Sequence, residues 1–365
     1  MPQEEFFTTQ TDITAAKVKF YQDYIGGYLI KVLMAFGKCF VADLLCGPGR
    51  NGDNPGSPLV LLEQAKKMLA SDHLLNTRRN PEVRILFNDI NPEHIENLKN
   101  ELRAFGPTPH ISIAGIMSSP FREIMQKLPP ILRLKTPKFF FLDPFAYTTI
   151  QLEDIGQLIA SDYTEVMLFL PSQDVYRFAA AKKIPPGTRN FLENFTTLGV
   201  HNYDGIDDFN KSICQKFRES FGLKFVRPIL LDGGQRKHTL FLLTKHVRGM
   251  MLANKIFWDK SPDGLGIRNA AGEDLLFNTG TCSADFLQFT TLFKDTLKSL
   301  GSMNNQQIIE FTATHGFLPE HVKTILDEMK ENGEISVTHI NDGKKGMYIA
   351  ENNWDKAKSI IKYNR

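Results

Sequence analysis

A glycine turn and two carboxylates stand at the ends of neighbouring apolar segments in the first half of the chain. Asp43 lies within the apolar segment 39–45, which runs into the turn Gly47-Pro48-Gly49, and Asp89 ends the next such segment. Glycines let a backbone approach a ligand closely, and a carboxylate after the second strand of a doubly wound sheet accepts ribose hydroxyls. This arrangement predicts a nucleotide-type binding site.

A third carboxylate, Asp143, ends the apolar run 138–142 and is followed at once by Pro144 and Phe145. This order of residue types suits chemistry on an exocyclic base amine, whose lone pair is delocalised into the ring. The Asp143 carboxylate and the Pro144 carbonyl can accept the two N–H bonds as the nitrogen becomes pyramidal, which stabilises the transition state. Phe145 could stack on the base. The alternative is a plain turn in which Asp143 caps the next element.

The glycine turn alone is a weak signal. Asp43 and Asp89 lie 46 positions apart, whereas a dinucleotide fingerprint places its acid about 20 residues after the glycines. Gly52, the next glycine, begins a loop rather than a helix. A nucleotide-dependent oxidoreductase is therefore disfavoured, and a tight turn that binds nothing stays open as an alternative.

Apolar strands alternating with helices position these residues. Strands are predicted at 39–45, 83–87, 111–114, 138–142, 165–170, 225–231 and 238–244. Helices are predicted at 14–36 (interrupted at Gly26-Gly27), 55–69, 92–105, 121–128, 150–160 and 207–221. Continuous apolar strands alternating with helices predict a mostly parallel sheet covered on both faces. The last two strands, joined at 232–234, predict a terminal antiparallel hairpin.

The C-terminal part has a different pattern. Residues 251–302 predict a helical connector. Helices at 305–313 and 319–332, then strands at 335–340 and 347–350 around a turn at 341–346, predict a winged helix. From Gly301 onward the sequence contains eight Lys and Arg residues and nine Asp and Glu residues. Phosphate neutralisation needs basic residues, so this charge favours protein contact or weak nucleic-acid binding over specific DNA recognition. The predicted domains are 1–250, 251–302 and 303–365.

Composition sets further bounds. The 365 residues are 42% hydrophobic and 23% charged, with a formal net charge of +2, which excludes a histone-like basic protein and a polyanionic one. The four cysteines form no C-x-x-C pair, so no metal site is predicted. No signal-peptide pattern and no run of 18 apolar residues is present, so we expect a cytoplasmic protein without a membrane span.

Several of these segments together resemble a known family. The stretch Asp-Leu-Leu-Cys-Gly-Pro-Gly at 43–49, followed by Pro-Gly-Ser-Pro-Leu at 55–59, resembles the first motif block of the three-Cys-motif partner (TcmP) proteins. The segment 140–145 looks like the strand-four motif of the same family, and 238–251 like its closing strand. The resemblance covers about 14–258.

The resemblance implies an α/β, Rossmann-like fold similar to class I S-adenosylmethionine methyltransferases, with a mostly parallel seven-stranded sheet. It implies S-adenosylmethionine as cofactor, with Asp89 on its ribose, and a three-cysteine, radical-S-adenosylmethionine-like protein as partner. Many amino-methyltransferases hold adenine with an Asp after strand three, where this chain has Met117 and Ser118. The cofactor residues thus predicted are Asp43, Gly47, Pro48, Gly49, Asp89, Met117 and Ser118.

The catalytic segment departs from the usual Asp/Asn-Pro-Pro-aromatic motif of amino-methyltransferases. Phe145 stands where the second proline would be, Ala146 where the aromatic would be, and Tyr147 is one place late. Asp-Pro-Phe also resembles the motif of tRNA guanine-N2 dimethyltransferases. Asp143, Pro144 and Phe145 are the predicted catalytic residues.

Basic residues interleaved with aromatics follow the fifth strand. Such a mixture suits single-stranded or flipped-base nucleic acid, although ordinary solvated charges are the alternative. The predicted nucleic-acid contacts are Arg177, Lys182, Lys183 and Arg189.

Two hypotheses from different classes follow. The first is an S-adenosylmethionine-dependent methyltransferase that acts on an exocyclic base amine of DNA or RNA. The second is a catalytically silent subunit of the same fold that serves the three-cysteine partner. The intact Asp43, glycine turn and Asp89 favour the first, and the altered Asp-Pro-Phe-Ala segment favours the second.

Overall fold

The computed structural model describes residues 12–75, 80–232, 237–262, 267–268, 284–340 and 346–364. The chain divides into two units. The first comprises Met1–Lys245 with Gly266–Asn269, and the second comprises His246–Leu265 with Ala270–Arg365. None of the described helices is both long and apolar enough to cross a membrane.

The first unit is built on one sheet, which has eight strands among the described residues. The outermost strand, Ile267–Arg268, has two residues. The other seven are β1 Lys38–Asp43, β2 Glu82–Asp89, β3 Ile111–Ser118, β4 Lys138–Leu142, β5 Thr164–Leu170, β6 Phe225–Asp232 and β7 Lys237–Thr244.

The order of these seven strands across the sheet is β3-β2-β1-β4-β5-β7-β6. Neighbours from β3 to β5 are parallel, and β7 is antiparallel to both β5 and β6. The prediction of a Rossmann-like, mostly parallel seven-stranded sheet with a terminal antiparallel hairpin is confirmed. The hairpin turn predicted at 232–234 lies, from residue 233, outside the described residues.

Helices cover both faces of this sheet. The longer ones are α1 Asp12–Phe36, α2 Ser57–Leu69, α3 Pro92–Phe105, α4 Phe121–Lys127, α5 Leu152–Ile159, α6 Ser172–Ala179, α7 Pro186–Phe195 and α8 Ile206–Phe221. Shorter pieces are helical turns at Asp72–Leu75, Pro129–Leu132 and Tyr147–Thr149, and the paired strands Arg50–Asn51 and Asn54–Pro55. The sequence analysis did not predict α6 and α7. The buried positions of α6 are Ser172, Val175 and Ala179, small residues that give little apolar signal.

Strand β4 shows how the two faces are filled. All of its residues are buried, and alternate side chains point to opposite faces of a sheet. Phe139 and Phe141 contact the tyrosines of α1, with ring centroids 5.7 Å apart for Tyr24 and Phe139 and 4.5 Å for Tyr21 and Phe141. Phe140 packs in the apolar cluster on the other face. Helix α1 is therefore packed on the strand that Asp143 follows directly.

Helix α1 runs without a break through Gly26 and Gly27, so the predicted interruption there is wrong. A Cβ atom on Gly26 would lie 2.9 Å from Oε1 of Gln64 in α2. Glycine in a helix costs about 1 kcal/mol relative to alanine. Here the missing side chain instead permits close packing of the two helices.

Strand β6 forms the far side of the hairpin and contains a proline. Pro228 stands opposite Phe241 of β7. On its outer side, within the described chain, β6 pairs only through Leu231 and Asp232, which face the two-residue strand Ile267–Arg268.

The second unit combines four helices with a small antiparallel sheet in the part that is described. The helices are α9 Val247–Lys260, α10 Ala284–Leu300, α11 Asn305–Thr314 and α12 Pro319–Glu331. The strands are β8 Ser302–Asn304, β9 Ile335–His339 and β10 Ser359–Tyr363, in the order β8-β10-β9. Of the predicted connector, residues 263–266 and 269–283 lie outside the described residues.

The predicted strand at 347–350 is wrong, because β9 pairs instead with β10 at Ser359–Tyr363. The buried side chain of Asn305 explains the longer route of the chain. Its Nδ2 donates to the carbonyls of Asn353 and Lys356 at 2.8 and 3.0 Å, and its Oδ1 accepts from the Lys358 backbone at 2.7 Å. These bonds hold the loop that leads into β10. Of the predicted turn, 341–345 lie outside the described residues.

Candidate functional site

The site lies where the carboxyl ends of the parallel strands meet. Because β7 runs antiparallel, its first residues come to the same edge. A cavity of 690 Å³ opens there, within the roughly 300–1,000 Å³ typical of ligand sites. Its lining includes Cys46, Gly47, Pro48, Gly49, Asp89, Ile90, Asp143, Pro144, Phe145, Phe169 and His238, together with Thr14, Lys17, Val18 and Tyr21 of α1.

The glycine turn forms one wall of this cavity. Gly47 and Gly49 have φ angles of 64° and 93°, which side chains disfavour. The Gly56 N–H donates to the Gly49 carbonyl at 2.8 Å, and a Cβ atom on Gly56 would lie 2.9 Å from that oxygen. The turn is therefore braced by the glycine that precedes α2, with Pro48 between its two glycines.

Asp89 at the end of β2 links this turn to α3. Its Oδ2 accepts the Gly47 N–H at 3.0 Å, its Oδ1 accepts the Asn91 N–H at 2.8 Å, and His94 Nδ1 lies 3.1 Å from Oδ1. A carboxylate has about four acceptor sites. Asp89 therefore keeps capacity, on Oδ2, for a hydroxyl of a ligand in the cavity.

Asn88, which the sequence analysis did not single out, ties three strand ends together. Its buried side chain donates from Nδ2 to the carbonyls of Leu44 and Ser119, both at 3.1 Å, and accepts from the Ser119 backbone at 3.2 Å. This bridging amide fixes the ends of β1, β2 and β3 relative to one another.

Asp43 lies behind the turn and is not among the lining residues of the described cavity. It is fully buried, and its Oδ2 accepts the Ser57 hydroxyl of α2 at 2.6 Å. Its Oδ1 has no hydrogen-bond partner in the described part of the chain. The pKa of Asp43 is raised to about 7, mainly by burial and also by the carboxylates of Asp143 and Asp89, while hydrogen bonds from the Ser57 hydroxyl and the Leu45 backbone act in the opposite direction. Asp43 thus anchors α2 beneath the turn.

Next to Asp89, the apolar residue that lines the cavity is Ile90 rather than the predicted pair Met117 and Ser118 at the end of β3. Ile90 is 59% exposed and lines the cavity. Met117 packs against the apolar core, and the Ser118 hydroxyl donates to the Ile90 carbonyl at 3.4 Å. Neither Met117 nor Ser118 is among the described lining residues. Ile90 was not predicted from the sequence; its place directly after the strand-two carboxylate is the signal that could have found it.

The predicted catalytic segment also faces the cavity. Pro144 is buried, Phe145 is 59% exposed, and Asp143 Oδ2 forms an ion pair with Lys17 of α1. The Lys17 ammonium stands 4.5 Å from the centroid of the Phe169 ring. Lys17 lies 126 positions from Asp143 in the sequence and was not predicted as a site residue.

Two further polar side chains line this side of the cavity. The ring of His238 lies 5.1 Å from that of Phe169, between centroids. Tyr21 is fully buried, and its hydroxyl has no hydrogen-bond partner among the described residues. Burial, and to a smaller degree Asp43, raise the pKa of Tyr21 well above its ordinary value, so the phenol stays protonated and can donate a hydrogen bond.

The four predicted nucleic-acid contacts are all exposed. Arg177 on α6 lies 3.8 Å from the carboxylate of Asp174, a lining residue, and Arg189 on α7 lies 3.9 Å from Glu193. Lys182 and Lys183 fall between these helices. Helix α7 reaches the cavity wall through Thr188, whose hydroxyl bonds that of Tyr147 at 2.7 Å.

The arrangement suits a nucleoside with a charged extension. A glycine turn, a carboxylate and an exposed apolar side chain can hold ribose and base, while Lys17 and Asp143 offer opposite charges further in. No cluster of three or more His, Cys, Asp or Glu that could hold a metal ion occurs among the described residues.

Comparisons with known proteins are limited to similarity of fold. No family model matches the chain, and no curated protein matches it. Among solved structures, the bifunctional kinase-methyltransferase WbdD is 13% identical with a TM-score of 0.36. The alignment covers 63% of this chain and 39% of the WbdD chain. A putative O-methyltransferase from Klebsiella pneumoniae is 8% identical with a TM-score of 0.33, covering 65% and 90%. A dimethyladenosine transferase from Plasmodium falciparum is 12% identical with a TM-score of 0.27, covering 84% and 96%.

This chain thus spans 39% of the length of WbdD. Likeness at this level concerns the fold alone, so the residues of the cavity carry the functional inference. Membership of the three-Cys-motif partner family stays a prediction.

Proposed function

We propose that the first unit binds S-adenosylmethionine and transfers its methyl group to an exocyclic amine of a nucleic-acid base. One observation carries this proposal. The glycine turn, Asp89 and the Asp143-Pro144-Phe145 segment, which are far apart in sequence, line a single cavity at the carboxyl edge of the sheet.

The lining fits the methyl donor in its chemistry. Asp89 would accept a ribose hydroxyl, Ile90 would pack on the adenine ring, and Gly47 and Gly49 would bring backbone close to the donor. Three lining carboxylates, Asp89, Asp143 and Asp174, suit the positive charge of a sulfonium. When bound, the donor would supply a methyl group that is electrophilic because it is attached to this sulfonium, and the electron pair of the broken carbon–sulfur bond would stay with S-adenosylhomocysteine.

Asp143 and Pro144 would orient the acceptor. One oxygen of the Asp143 carboxylate and the Pro144 carbonyl would accept the two N–H bonds of the amine. These acceptors direct the nitrogen lone pair toward the cavity, and the carboxylate stabilises the positive charge that develops on the nitrogen. The proton then leaves to water. Phe145, with its exposed ring, would stack on the base.

Exposed cations on α6, on α7 and between these helices would suit a polyanionic acceptor. Arg177, Lys182, Lys183 and Arg189 are exposed, and α7 contacts the wall through the Tyr147–Thr188 hydrogen bond. These cations would neutralise phosphates beside a base that is turned into the cavity. The predicted winged helix of the second unit would act as a protein contact, since its net charge does not favour DNA.

The test begins with binding. S-adenosylmethionine and S-adenosylhomocysteine are titrated calorimetrically into the wild-type chain, Asp89→Ala and the matched variant Asp89→Asn. We expect the wild-type chain to bind with micromolar affinity. Asp89→Ala should lose at least about tenfold in affinity, and Asp89→Asn should lose less because it keeps one acceptor oxygen.

Methyl transfer is then measured with radiolabelled donor and mixed RNA or DNA. Asp143→Ala should lower the rate by about 100-fold or more while donor binding persists, because it removes an acceptor that acts in the transition state. No binding by the wild-type chain, or unchanged transfer by Asp143→Ala, would contradict the proposal. Binding without transfer to any nucleic acid would favour the catalytically silent subunit and direct the search to its three-cysteine partner.

A further inference from the structure

Lys17 is a nearly buried cation on the wall of the cavity. Its side chain is 7% exposed, and its ammonium is held between the carboxylate of Asp143 and the face of Phe169. Burying an ammonium is costly unless it is paired. Any ligand that takes Asp143 as its own partner must therefore provide Lys17 with another anion.

The other permanent cation of the lining is differently placed. The Arg50 side chain is 45% exposed, and it already binds the carboxylate of Glu101 at 2.9 Å and the Asp53 carbonyl at 3.1 Å. A ligand carboxylate that enters the inner part of the cavity thus meets Lys17 as its cation.

Tyr21 adds a second donor beside Lys17. Residues four apart lie next to each other on a helix, with Cβ atoms about 5–6 Å apart, and both side chains line the cavity. The Tyr21 hydroxyl is buried without a hydrogen-bond partner among the described residues. Leaving such a donor unsatisfied costs about 1–3 kcal/mol. A ligand oxygen between the two side chains would satisfy it.

We propose that Lys17 and Tyr21 bind the carboxylate at the amino-acid end of the methyl donor, and that this contact draws Lys17 away from Asp143. The inference rests on the proposed function. It makes Asp143 available to the acceptor amine only after the donor has entered, so the donor binds first and the acceptor second.

The experiment compares two nucleosides that differ in the amino-acid end. S-adenosylhomocysteine has it, and 5′-methylthioadenosine lacks it. Calorimetry is done on wild type, Lys17→Met, Tyr21→Phe and the control Lys19→Met. Lys19 lies on the same helix, with a side chain 57% exposed and paired with Asp23.

We expect Lys17→Met to weaken the binding of S-adenosylhomocysteine by at least about tenfold, and Tyr21→Phe to weaken it by about fivefold. Each variant loses one charge-assisted hydrogen bond to the ligand. Binding of 5′-methylthioadenosine should stay within about twofold in both, and Lys19→Met should leave both ligands unchanged.

A fourth variant tests the exchange itself. Asp143→Asn removes the negative charge that competes for Lys17. It should therefore strengthen the binding of S-adenosylhomocysteine several-fold without affecting the binding of 5′-methylthioadenosine. This variant keeps the proposal testable if Lys17→Met folds poorly, which far-ultraviolet circular dichroism would show.

The outcomes separate the two proposals. If Lys17→Met loses affinity equally for both nucleosides, or if Asp143→Asn binds S-adenosylhomocysteine more weakly, the role of Lys17 is overturned. Neither result contradicts the proposed function. Failure of wild type to bind either nucleoside overturns the proposed function, and the role of Lys17 with it.

Discussion

The two edges of the central sheet both contain buried charged groups, but they treat them differently. At the amino edge, Oε2 of Glu165 accepts the Tyr24 hydroxyl at 2.7 Å and Oε1 accepts that of Thr244 at 2.9 Å. There, too, the buried Lys138 donates to the carbonyls of Leu134 and Thr136.

At the carboxyl edge, one oxygen of Asp43 and the hydroxyl of Tyr21 have no hydrogen-bond partner in the described chain. Lys17 contacts the Asp143 carboxylate and the Phe169 ring, and both of these side chains line the cavity. The same helix, α1, serves both edges, with Tyr24 toward one and Lys17 toward the other. The buried hydroxyls of Tyr28 and Thr164 at the amino edge also lack a hydrogen-bond partner among the described residues. The contrast therefore concerns the charged groups: Glu165 and Lys138 bind groups of the fold away from the cavity, whereas Lys17 and Asp143 line it.

Glu165→Ala tests the amino edge and should have the largest effect on the stability of the fold. Removing the carboxylate leaves two buried hydroxyls without their acceptor, which should lower the free energy of unfolding by about 3 kcal/mol. Urea denaturation measures the loss, and Glu63→Ala on the exposed side of α2 is the control. Affinity for S-adenosylhomocysteine should stay within about twofold of wild type. A large loss of affinity would mean that the two edges are not separate in function.

Gly56→Ala tests the carboxyl edge through its backbone. The added Cβ would lie 2.9 Å from the Gly49 carbonyl, so the glycine turn must shift. We expect S-adenosylhomocysteine to bind about tenfold more weakly, equal to about 1.4 kcal/mol. Gly346→Ala, where a Cβ meets nothing within 4 Å, is the control. Unchanged affinity in Gly56→Ala would remove the turn from the binding site.

Asp43→Asn probes the carboxyl edge through pH. Burial raises the pKa of Asp43 to about 7 in the folded chain, above the value of about 3.9 expected when unfolded. The folded chain therefore holds this proton more tightly, and stability falls as pH rises from about 4 to 7, by at most about 1.4 kcal/mol per pH unit. Above pH 7 the contribution levels off.

The difference between wild type and Asp43→Asn isolates this slope. Urea titrations at intervals from pH 4 to 8 should show a steeper loss of stability for wild type than for the variant. Parallel curves would mean that Asp43 is already ionised in the folded chain across this range.

Local sequence patterns predicted the elements with a clear apolar signal. The apolar run at 138–142 defines β4 without change of bounds, and Pro92 with the spacing after it predicts α3. Strand topology then brings Asp89 and Asp143 to one edge, which made that part of the site predictable.

The missed parts depend on tertiary packing. Nothing in the residues around Lys17 indicates a partner at Asp143, since the contact arises only when the tyrosines of α1 pack on Phe139 and Phe141. Likewise, adjacency to a strand end did not distinguish Ile90 from Met117, because the orientation of each side chain follows from the register of the strands.

Pro228 in β6 has a consequence for how copies of this protein meet. The outer side of an edge strand offers a ladder of N–H and C=O groups onto which a strand from another molecule can add. In the described chain the two-residue strand Ile267–Arg268 covers only the last part of β6, and a proline contributes no N–H to any neighbour. Among the described residues, the part of β6 that this short strand does not pair is thus interrupted by a proline, which makes it a poorer template for a strand from another molecule.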